Sequence, residues 1–378
     1  MAIPKDYNIV VIGMGFIGGF LTPGYRKLLG DKVETNVFAA DVDEEKVKRL
    51  QGKFPFTITA QPALELLREK TPDLVIVSVP PKIIPVVLKE TLTAYFAEQR
   101  QKGGNLPDII TFGPTPNPQL YYDVLGDDIN CVKFLPSMVE PIGDVQLQKV
   151  GAGSLCFVPG HPFPEDRKQR MIDFANVFGR TFLLTHDQTL YGLSSKNTAH
   201  TSYELSYAIS DAMKERGVEV TVSQIGSAMR AAYRKYRGFE GDGEYPSSLE
   251  DVPESIRDFV EKLAVAWYKG IVDYVQFMSG ENATMQDFVG ANYEAFTLTV
   301  QLSTREELEV STSHHATKGG VTEKSVNVVN EYFFQQLKDA VKAHLDGTLP
   351  PSFFDTAEGI AFMIDMTVNR HAHRLASK

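Results

Sequence analysis

The sequence predicts an α/β amino-terminal domain followed by an all-α carboxyl-terminal domain. Short apolar segments alternate with helix-compatible segments as far as residue 184, a pattern typical of a parallel sheet with crossover helices. The first apolar segment passes directly into a glycine-rich turn. From residue 186 onwards, apolar residues recur at helical spacing in long runs. We therefore expect one domain over residues 1–184 and a second over residues 185–378.

The strands and helices of the first domain follow from its apolar segments. Strands are predicted at 8–12, 36–40, 57–60, 73–79, 108–112, 130–135, 153–158 and 180–184. Helices are predicted after Asp41 through Leu50, at 63–70 and at 165–178. The segment 73–79 is almost wholly apolar, which is typical of a central strand buried on both faces.

The second domain is expected to be helical throughout. Helices are predicted at 190–216, 221–236, 255–277, 285–302, 323–345 and 354–374. A turn-rich, acidic stretch between Arg237 and Pro253 is expected to form a surface loop.

Composition excludes several classes of protein. A net charge of −10 argues against a nucleic-acid binder that neutralises phosphates. No apolar run approaches the roughly 20 residues that a membrane span needs, and the amino terminus does not have the pattern of a signal peptide. The two cysteines, Cys131 and Cys156, lie in apolar segments, and the eight histidines show no ligand spacing. We expect a cytoplasmic protein with neither a metal site nor a membrane partner.

The glycine-rich turn is the most informative motif. Gly13, Gly15 and Gly18 form a G-x-G-x-x-G pattern between a predicted strand and a predicted helix. In such a turn the first glycine allows a tight bend, the second lets the backbone approach a pyrophosphate, and the third lets helix and strand pack closely. The sequence therefore predicts a Rossmann domain that binds a nicotinamide dinucleotide, with Phe16 and Ile17 also at the phosphates.

Further residues of this domain are expected to contact the dinucleotide. Asp41 ends the second predicted strand, where an acid accepts hydrogen bonds from the adenosine ribose; alternatively, it caps the next helix. At another strand end, Val79, Pro80 and Pro81 are expected to wall the nicotinamide, although prolines also simply end strands.

A second polar segment begins a helix of the carboxyl-terminal domain. Thr317, Lys318, Gly319, Gly320 and Thr322 are small or basic, and small residues at a helix start expose backbone N–H groups that bind anions. The Thr322 hydroxyl is expected to add a hydrogen bond or to serve as the N-cap. The alternative is a purely structural cap.

Candidate catalytic residues lie at the start of the domain's first helix. Lys196 and His200 are four residues apart and so share a helix face. A lysine there is able to give a proton to a reacting group, with Asn197 orienting the substrate. The alternative is a polar helix surface on which Lys196 extends into water. Of His314 and His315, neighbours in the chain, only one is expected to face a ligand.

Five segments resemble, in order, motifs of the pyrroline-5-carboxylate reductase family. They are I-V-V-I-G-M-G-F-I-G at 9–18, S-V-P-P-K at 78–82, K-F-L-P-S at 133–137, L-S-S at 193–195 and T-K-G-G-V-T at 317–322. They look like the family's cofactor turn, V-K-P-Q loop, M-P-N strand end, A-L-S-G-S-G-P helix start and S-P-G-G-T-T substrate loop. The resemblance implies hydride transfer to a cyclic imine, a substrate carboxylate on Gly319, Gly320 and Thr322, and a helical domain that dimerises.

The chain also departs from that family. Lys318 replaces a proline, Lys196 and Asn197 replace small residues, and residues 237–292 form an insertion. Val42 stands where users of the phosphate-bearing cofactor commonly have a basic residue. This difference favours NAD(H) over NADP(H).

Three functions are open on these grounds. The first is an NAD(P)-dependent oxidoreductase that reduces the C=N bond of a small carboxylate. The second is a keto or hydroxy acid oxidoreductase, because G-L-S-S-K at 192–196 is similar to the G-x-x-x-K stretch of β-hydroxyacid dehydrogenases and a carbonyl needs a proton donor such as Lys196. The third is a regulator that senses the dinucleotide without catalysis.

Overall fold

A computed structural model describes residues 7–137, 151–239 and 245–377, except for the side chains of residues 193–198. The chain divides into two compact units. One comprises the residues up to Pro136, Gly153–Thr189 and the chain end from Leu375, and the other includes Leu190–Arg374. The first is α/β and the second all-α, so the predicted fold class is confirmed.

A single sheet organises the α/β unit. The strands are β1 (Ile9–Ile12), β2 (Val37–Ala40), β3 (Thr57–Thr59), β4 (Leu74–Val77), β5 (Asp108–Thr111), β6 (Asn130–Leu135), β7 (Ala152–Phe157) and β8 (Arg180–Leu184). Within the described residues they form one sheet in the order β3-β2-β1-β4-β5-β6-β7-β8. β1 to β6 pair in parallel, and β7 runs antiparallel to β6. The order of the first six strands is that of a Rossmann fold.

Helices cover both faces of the sheet. They are α1 (Phe16–Phe20), α2 (Thr22–Leu29), α3 (Val33–Asn36), α4 (Glu44–Leu50), α5 (Ala63–Lys70), α6 (Ile84–Val87), α7 (Thr93–Lys102), α8 (Gln119–Leu125) and α9 (Glu165–Ala175). Successive strand residues point to opposite faces. Val11 and Ile76 accordingly belong to one apolar core, and Val10 and Val75 to another.

The carboxyl ends of three neighbouring strands lie side by side. Ile12 at the end of β1 pairs with Val77 at the end of β4, and Val77 pairs with Thr111 at the end of β5. The loops that follow these strands therefore begin at one edge of the sheet. Ligands of open α/β sheets bind at this edge.

Eight further helices follow in the described part of the chain. They are α10 (His186–Glu215), α11 (Val222–Arg237), α12 (Glu254–Ser279), α13 (Ala283–Gln301), α14 (Arg305–His315), α15 (Val321–Tyr332), α16 (Phe334–Leu345) and α17 (Phe353–Ala376). The indole of Trp267 in α12 is 2% exposed and stacks on Phe333, with ring centroids 5.5 Å apart. α12, which lies within the predicted insertion, thus contributes to the packed interior of this unit.

The structure corrects two details of the helical prediction. The expected helix at 323–345 is two helices that meet at Phe333, whose φ of −131° interrupts the helical backbone. Residues 305–315 form α14, a helix absent from the sequence prediction, and His314 and His315 are its last two residues.

Among the described residues, no helix has the combination of length and apolarity that crossing a bilayer requires.

Candidate functional site

Gly13 makes the bend between β1 and α1. Its φ is +94°, and its N–H donates to the Ala40 carbonyl at 2.8 Å. A Cβ at this position would lie 2.8 Å from Cγ1 of Val79 and 3.1 Å from the carbonyl carbon of Ser78. Both the positive φ and this close approach require glycine.

Gly15 and Gly18 differ in what surrounds them. A Cβ at Gly18 would lie 2.8 Å from the Gly13 carbonyl oxygen and 3.0 Å from Sδ of Met14, so helix and turn pack closely there. Gly15, the N-cap of α1, has no atom within 4 Å of a Cβ built on it. The open space at Gly15 is where a methyl group would intrude on a phosphate, so the turn fits a dinucleotide.

Asp41 follows β2 and holds the glycine turn. Its Oδ2 accepts from the Met14 N–H at 2.8 Å and from Nζ of Lys46 at 2.6 Å, and its Oδ1 accepts from the Asp43 N–H at 3.1 Å. Burial opposes ionisation of Asp41, but the hydrogen bonds from Lys46, Met14 and Asp43 outweigh it and keep the pKa of Asp41 below its usual value. Its carboxylate therefore lies beside the turn, charged and oriented.

The alternative capping role belongs to another residue. Oδ1 of Asp43 accepts from the Lys46 N–H at 2.9 Å and caps α4. Sequence reasoning missed Lys46, because only the first turn of α4 brings its ammonium back to Asp41. Val42 is almost fully exposed.

The segment after β4 lies against the glycine turn. Val79 contacts Gly13, Pro80 precedes a 3-10 turn over Pro81–Ile83, and Pro81 lies close to Gly113 after β5. Oγ of Ser78 donates to the Gly13 carbonyl at 2.6 Å, a link that the sequence analysis did not predict. These contacts bring the segments at the ends of β1, β4 and β5 together.

Phe16 and Ile17 differ in how exposed their side chains are. Phe16 is exposed and stacks on Phe20, with ring centroids 5.7 Å apart. Ile17 packs against the core of the α/β unit. Contact between Ile17 and a phosphate would therefore come from its backbone.

Lys133 is a buried cation that sequence reasoning did not select. It lies within β6, and its Nζ donates to the carbonyls of Pro114 at 3.1 Å and Pro116 at 2.5 Å. Burial lowers the pKa of Lys133 to about 8. The residue was not selected because it lies within a mostly apolar segment that was interpreted only as a strand.

His200 in α10 lies in the interior of the helical unit. Its ring centroid is 5.5 Å from that of His315 and 5.2 Å from that of Tyr203. Within the described residues neither ring nitrogen has a hydrogen-bond partner. Burial, and secondarily His315, lowers the pKa of His200 to about 3. The ring is therefore neutral at physiological pH, and the catalytic role of His200 stays a prediction.

The predicted catalytic residues Lys196 and Asn197 have side chains outside the described residues. The backbone of α10 is helical through both positions. Lys196 thus lies about one helical turn before His200.

The glycines before α15 form a tight turn. Gly319 has a φ of +76°, and a Cβ at Gly320 would lie 2.7 Å from the Thr317 carbonyl oxygen. Gly320 is the N-cap of α15, so the suggestion that Thr322 is the N-cap is wrong. Backbone geometry therefore accounts for both glycines without a ligand. The Lys318 side chain next to them is exposed.

Two N–H groups of this loop already have acceptors. Gly319 donates to Oε2 of Glu323 at 2.6 Å, and Gly320 donates to the Thr317 carbonyl at 2.7 Å. Nε2 of His371 lies 3.4 Å from the Gly319 carbonyl. One N–H of this loop is thus bonded to a carboxylate, that of Glu323.

In the described part of the chain, no group of three or more His, Cys, Asp or Glu side chains is arranged to hold a metal ion.

Comparison with known proteins gives one family match and several structural likenesses. Comparison with curated proteins gives no match. Pyrroline carboxylate reductase of Plasmodium falciparum with NADP bound is 14% identical, with 94% of this chain and 99% of that chain covered and a TM-score of 0.38. Pyrroline-5-carboxylate reductase of Coxiella burnetii is 12% identical, with 94% and 99% covered and a TM-score of 0.43.

A prephenate dehydrogenase gives a similar result. The enzyme of A. aeolicus, in complex with hydroxyphenyl propionate and NAD+, is 14% identical, with 92% and 99% covered and a TM-score of 0.41. TM-scores this low indicate neither activity nor substrate. The family match is confined to the α/β unit: residues 8–100 match the family described as NADP oxidoreductase, coenzyme F420-dependent.

Proposed function

We propose that the protein is an NAD(P)-dependent oxidoreductase that acts on a small anionic substrate. The observation that carries this proposal is the glycine turn after β1, which is closely packed at Gly13 and Gly18 but open at Gly15. The family match over residues 8–100, which includes this turn, supports it. A nicotinamide dinucleotide, when bound, supplies or accepts the hydride.

The proposed dinucleotide site uses backbone and side-chain groups of the α/β unit. Gly13, Gly15 and Gly18, with the backbone of Phe16 and Ile17, hold the pyrophosphate, and Asp41 accepts from the adenosine ribose. Val79, Pro80 and Pro81 shield the nicotinamide from water. Since Asp41 is an ionised carboxylate, we propose that NAD(H) is preferred to NADP(H).

The proposed substrate is a pyrroline-carboxylate-like imine, held by the loop that precedes α15. Glu323 already places a carboxylate on the Gly319 N–H at 2.6 Å, which supports a preference of this loop for carboxylates. A substrate carboxylate would compete with Glu323 there, with Thr317, Lys318, Gly320 and Thr322 around it. Lys196, Asn197 and His200 remain the proposed polar groups at the reacting bond, with Lys196 as the proton donor. We also propose a homodimer or a higher homo-oligomer.

A matched pair of glycine variants tests the cofactor proposal. Gly15→Ala is expected to leave the unfolding midpoint unchanged, because the added methyl meets no protein atom, and to weaken NADH and NADPH binding about tenfold or more by intruding on the phosphates. Titration calorimetry with both dinucleotides measures the affinities. Gly359→Ala in α17, where a Cβ also meets nothing within 4 Å, is the control and is expected to bind like the wild type.

Two results would refute the cofactor proposal. One is a folded wild type that binds neither dinucleotide. The other is a Gly15→Ala variant with unchanged affinity for both.

Oxidation of the reduced cofactor tests the substrate class. The purified protein is incubated with panels of cyclic imino acids and 2-oxo acids, and absorbance reports consumption of NADH or NADPH. Turnover of imino acids alone supports the proposed substrate. Turnover of 2-oxo acids alone contradicts it and favours the keto acid alternative.

A further inference from the structure

Lys133 occupies a position at which a charge is costly. In the sheet it lies between Thr111 of β5 and Cys156 of β7, and none of its surface is exposed (0%). Its neighbours along β6, Val132 and Phe134, are equally buried. An apolar side chain of similar volume would fill this place without the cost of desolvating an ammonium group.

Both hydrogen bonds of the Lys133 ammonium are to the segment that follows β5. Nζ donates to the carbonyls of Pro114 at 3.1 Å and Pro116 at 2.5 Å. In the ranges that the structure describes, no carboxylate pairs with Lys133. Cys131 and Cys156, the titratable side chains that act on Lys133, remain protonated, because burial raises the pKa of Cys156 to about 11 and that of Cys131 further. Among the described residues, the cation is therefore compensated by the two backbone carbonyls alone.

The segment 113–118 has few backbone donors of its own, although the carbonyls of Asn117 and Pro118 accept from the N–H groups of Leu120 and Tyr121 at the start of α8. Its sequence, G-P-T-P-N-P, contains three prolines, and proline has no N–H to donate. Backbone hydrogen bonds within the segment are correspondingly limited. The ammonium group of Lys133, in β6, supplies donors to this segment and fixes the positions of two of the segment's carbonyls.

This segment also lies at the edge of the sheet where the glycine turn is found. It follows β5, and its first residue, Gly113, has a φ of +77° and lies beside Pro81. Pro81 belongs to the segment after β4, whose Val79 contacts Gly13. The segment 113–118 therefore lies farther along the same row of strand ends, away from Asp41.

We propose that Lys133 is a positioning residue that fixes the proline-rich segment 113–118 as a preformed wall for the nicotinamide end of the dinucleotide. The role rests on the proposed function, because it requires a bound dinucleotide. Lys133 does not touch the ligand in this arrangement; it acts through the carbonyls of Pro114 and Pro116. Its loss should therefore affect the nicotinamide end of the ligand and spare the adenosine end.

A comparison of two ligands on Lys133→Met tests this selectivity. Calorimetric affinities are measured for NADH and for ADP-ribose, which lacks the nicotinamide. We expect about a tenfold loss of NADH affinity, because the wall must then be ordered on binding, and less than a twofold change for ADP-ribose. Phe134→Leu, on the opposite face of the same strand, is the matched control: it weakens the core but should leave the ratio of the two affinities unchanged.

Two further variants keep the test decisive if Lys133→Met does not fold. Lys133→Arg keeps the charge and the reach, so it should retain the wild-type ratio of affinities. Lys133→Gln is neutral and shorter, so it should show the selective loss of NADH affinity.

The outcomes separate this proposal from the one on which it rests. A wild type that binds neither ligand refutes dinucleotide binding itself, and the role of Lys133 falls with it before any variant is made. A wild type that binds NADH, with variants that lose both ligands equally or lose neither, overturns the positioning role alone.

Discussion

Gly13 and Gly15 respond in opposite ways to an added methyl group. At Gly13 the methyl would meet Val79 and the backbone of Ser78, whereas at Gly15 it would meet no protein atom. The fold therefore requires glycine at position 13, whereas no protein contact among the described residues requires it at position 15.

Gly13→Ala is expected to lower the free energy of unfolding by about 2–5 kcal/mol. The positive φ costs about 1–2 kcal/mol for any residue with a Cβ, and the close contacts with Val79 and Ser78 add about 1–3 kcal/mol. Urea denaturation measures the change. An unchanged denaturation midpoint would show that the turn relaxes without cost.

The pair formed by Asp41 and Lys46 is expected to set the choice of cofactor. Lys46→Met removes the only cation bonded to Asp41 within the described residues and should weaken NADPH binding about tenfold relative to NADH, because a 2′-phosphate then faces an unneutralised carboxylate. Asp41→Asn should shift the ratio towards NADPH. Competition titrations with both cofactors report the ratios.

The control for this pair lies in the same helix. Lys48 is exposed and pairs with Glu45 instead, so Lys48→Met should leave the cofactor ratio unchanged. Equal ratios in all variants would mean that neither residue approaches the ribose.

At the scale of elements, the sequence predicted most accurately those helices and strands that are flanked by turn residues. The bounds of β6, β8 and α5 are identical to the ranges predicted for them, 130–135, 180–184 and 63–70. These bounds were predictable because turn residues flank each element. α14 was missed because its sequence is polar over most of its length, and few of its residues are buried. The break at Phe333 was missed because that ring is held by Trp267, a contact between residues distant in sequence.

A capping box at the start of α11 gives a prediction at this scale. Oγ1 of Thr221 accepts from the Gln224 N–H at 3.2 Å, and the Gln224 side chain accepts from the Thr221 N–H at 2.9 Å. Thr221→Ala should lower the free energy of unfolding by about 1 kcal/mol, and Thr221→Ser should restore it, because serine keeps the hydroxyl. Thermal denaturation of the wild type and the two variants measures these differences in stability. If serine and alanine behave alike, the cap contributes nothing.

At the scale of the whole molecule, the sequence predicted those residues of the candidate site that belong to one local sequence motif. The three glycines and Asp41 could be found because a strand, a turn and a second strand end have a known order. Lys46, Ser78 and Lys133 could not be found in this way. Ser78 and Lys133 reach their partners only after the sheet has formed, and Lys46 reaches Asp41 only once the first turn of α4 has formed, so no motif in the sequence marks these roles.

The stability of the whole molecule should depend on pH through Lys133. Burial lowers the pKa of Lys133 to about 8, whereas an unfolded lysine titrates near pH 10.4. Between these values the unfolded state binds more protons, so stability rises with pH, by up to about 3 kcal/mol across the window. Lys133→Met should lack this contribution.

Urea denaturation at several pH values between 8 and 10 compares the two proteins. The difference between wild type and variant isolates Lys133, because the buried thiols and tyrosines titrate in both. Parallel pH profiles would show that Lys133 has an ordinary pKa.

The chain contains a single tryptophan, Trp267, and it is enclosed in the helical unit against Phe333. Its ultraviolet emission is consequently a built-in optical probe of that unit. A red shift on denaturation marks the moment when water reaches the indole there, whereas melting confined to the sheet would leave the emission colour of the protein unaltered.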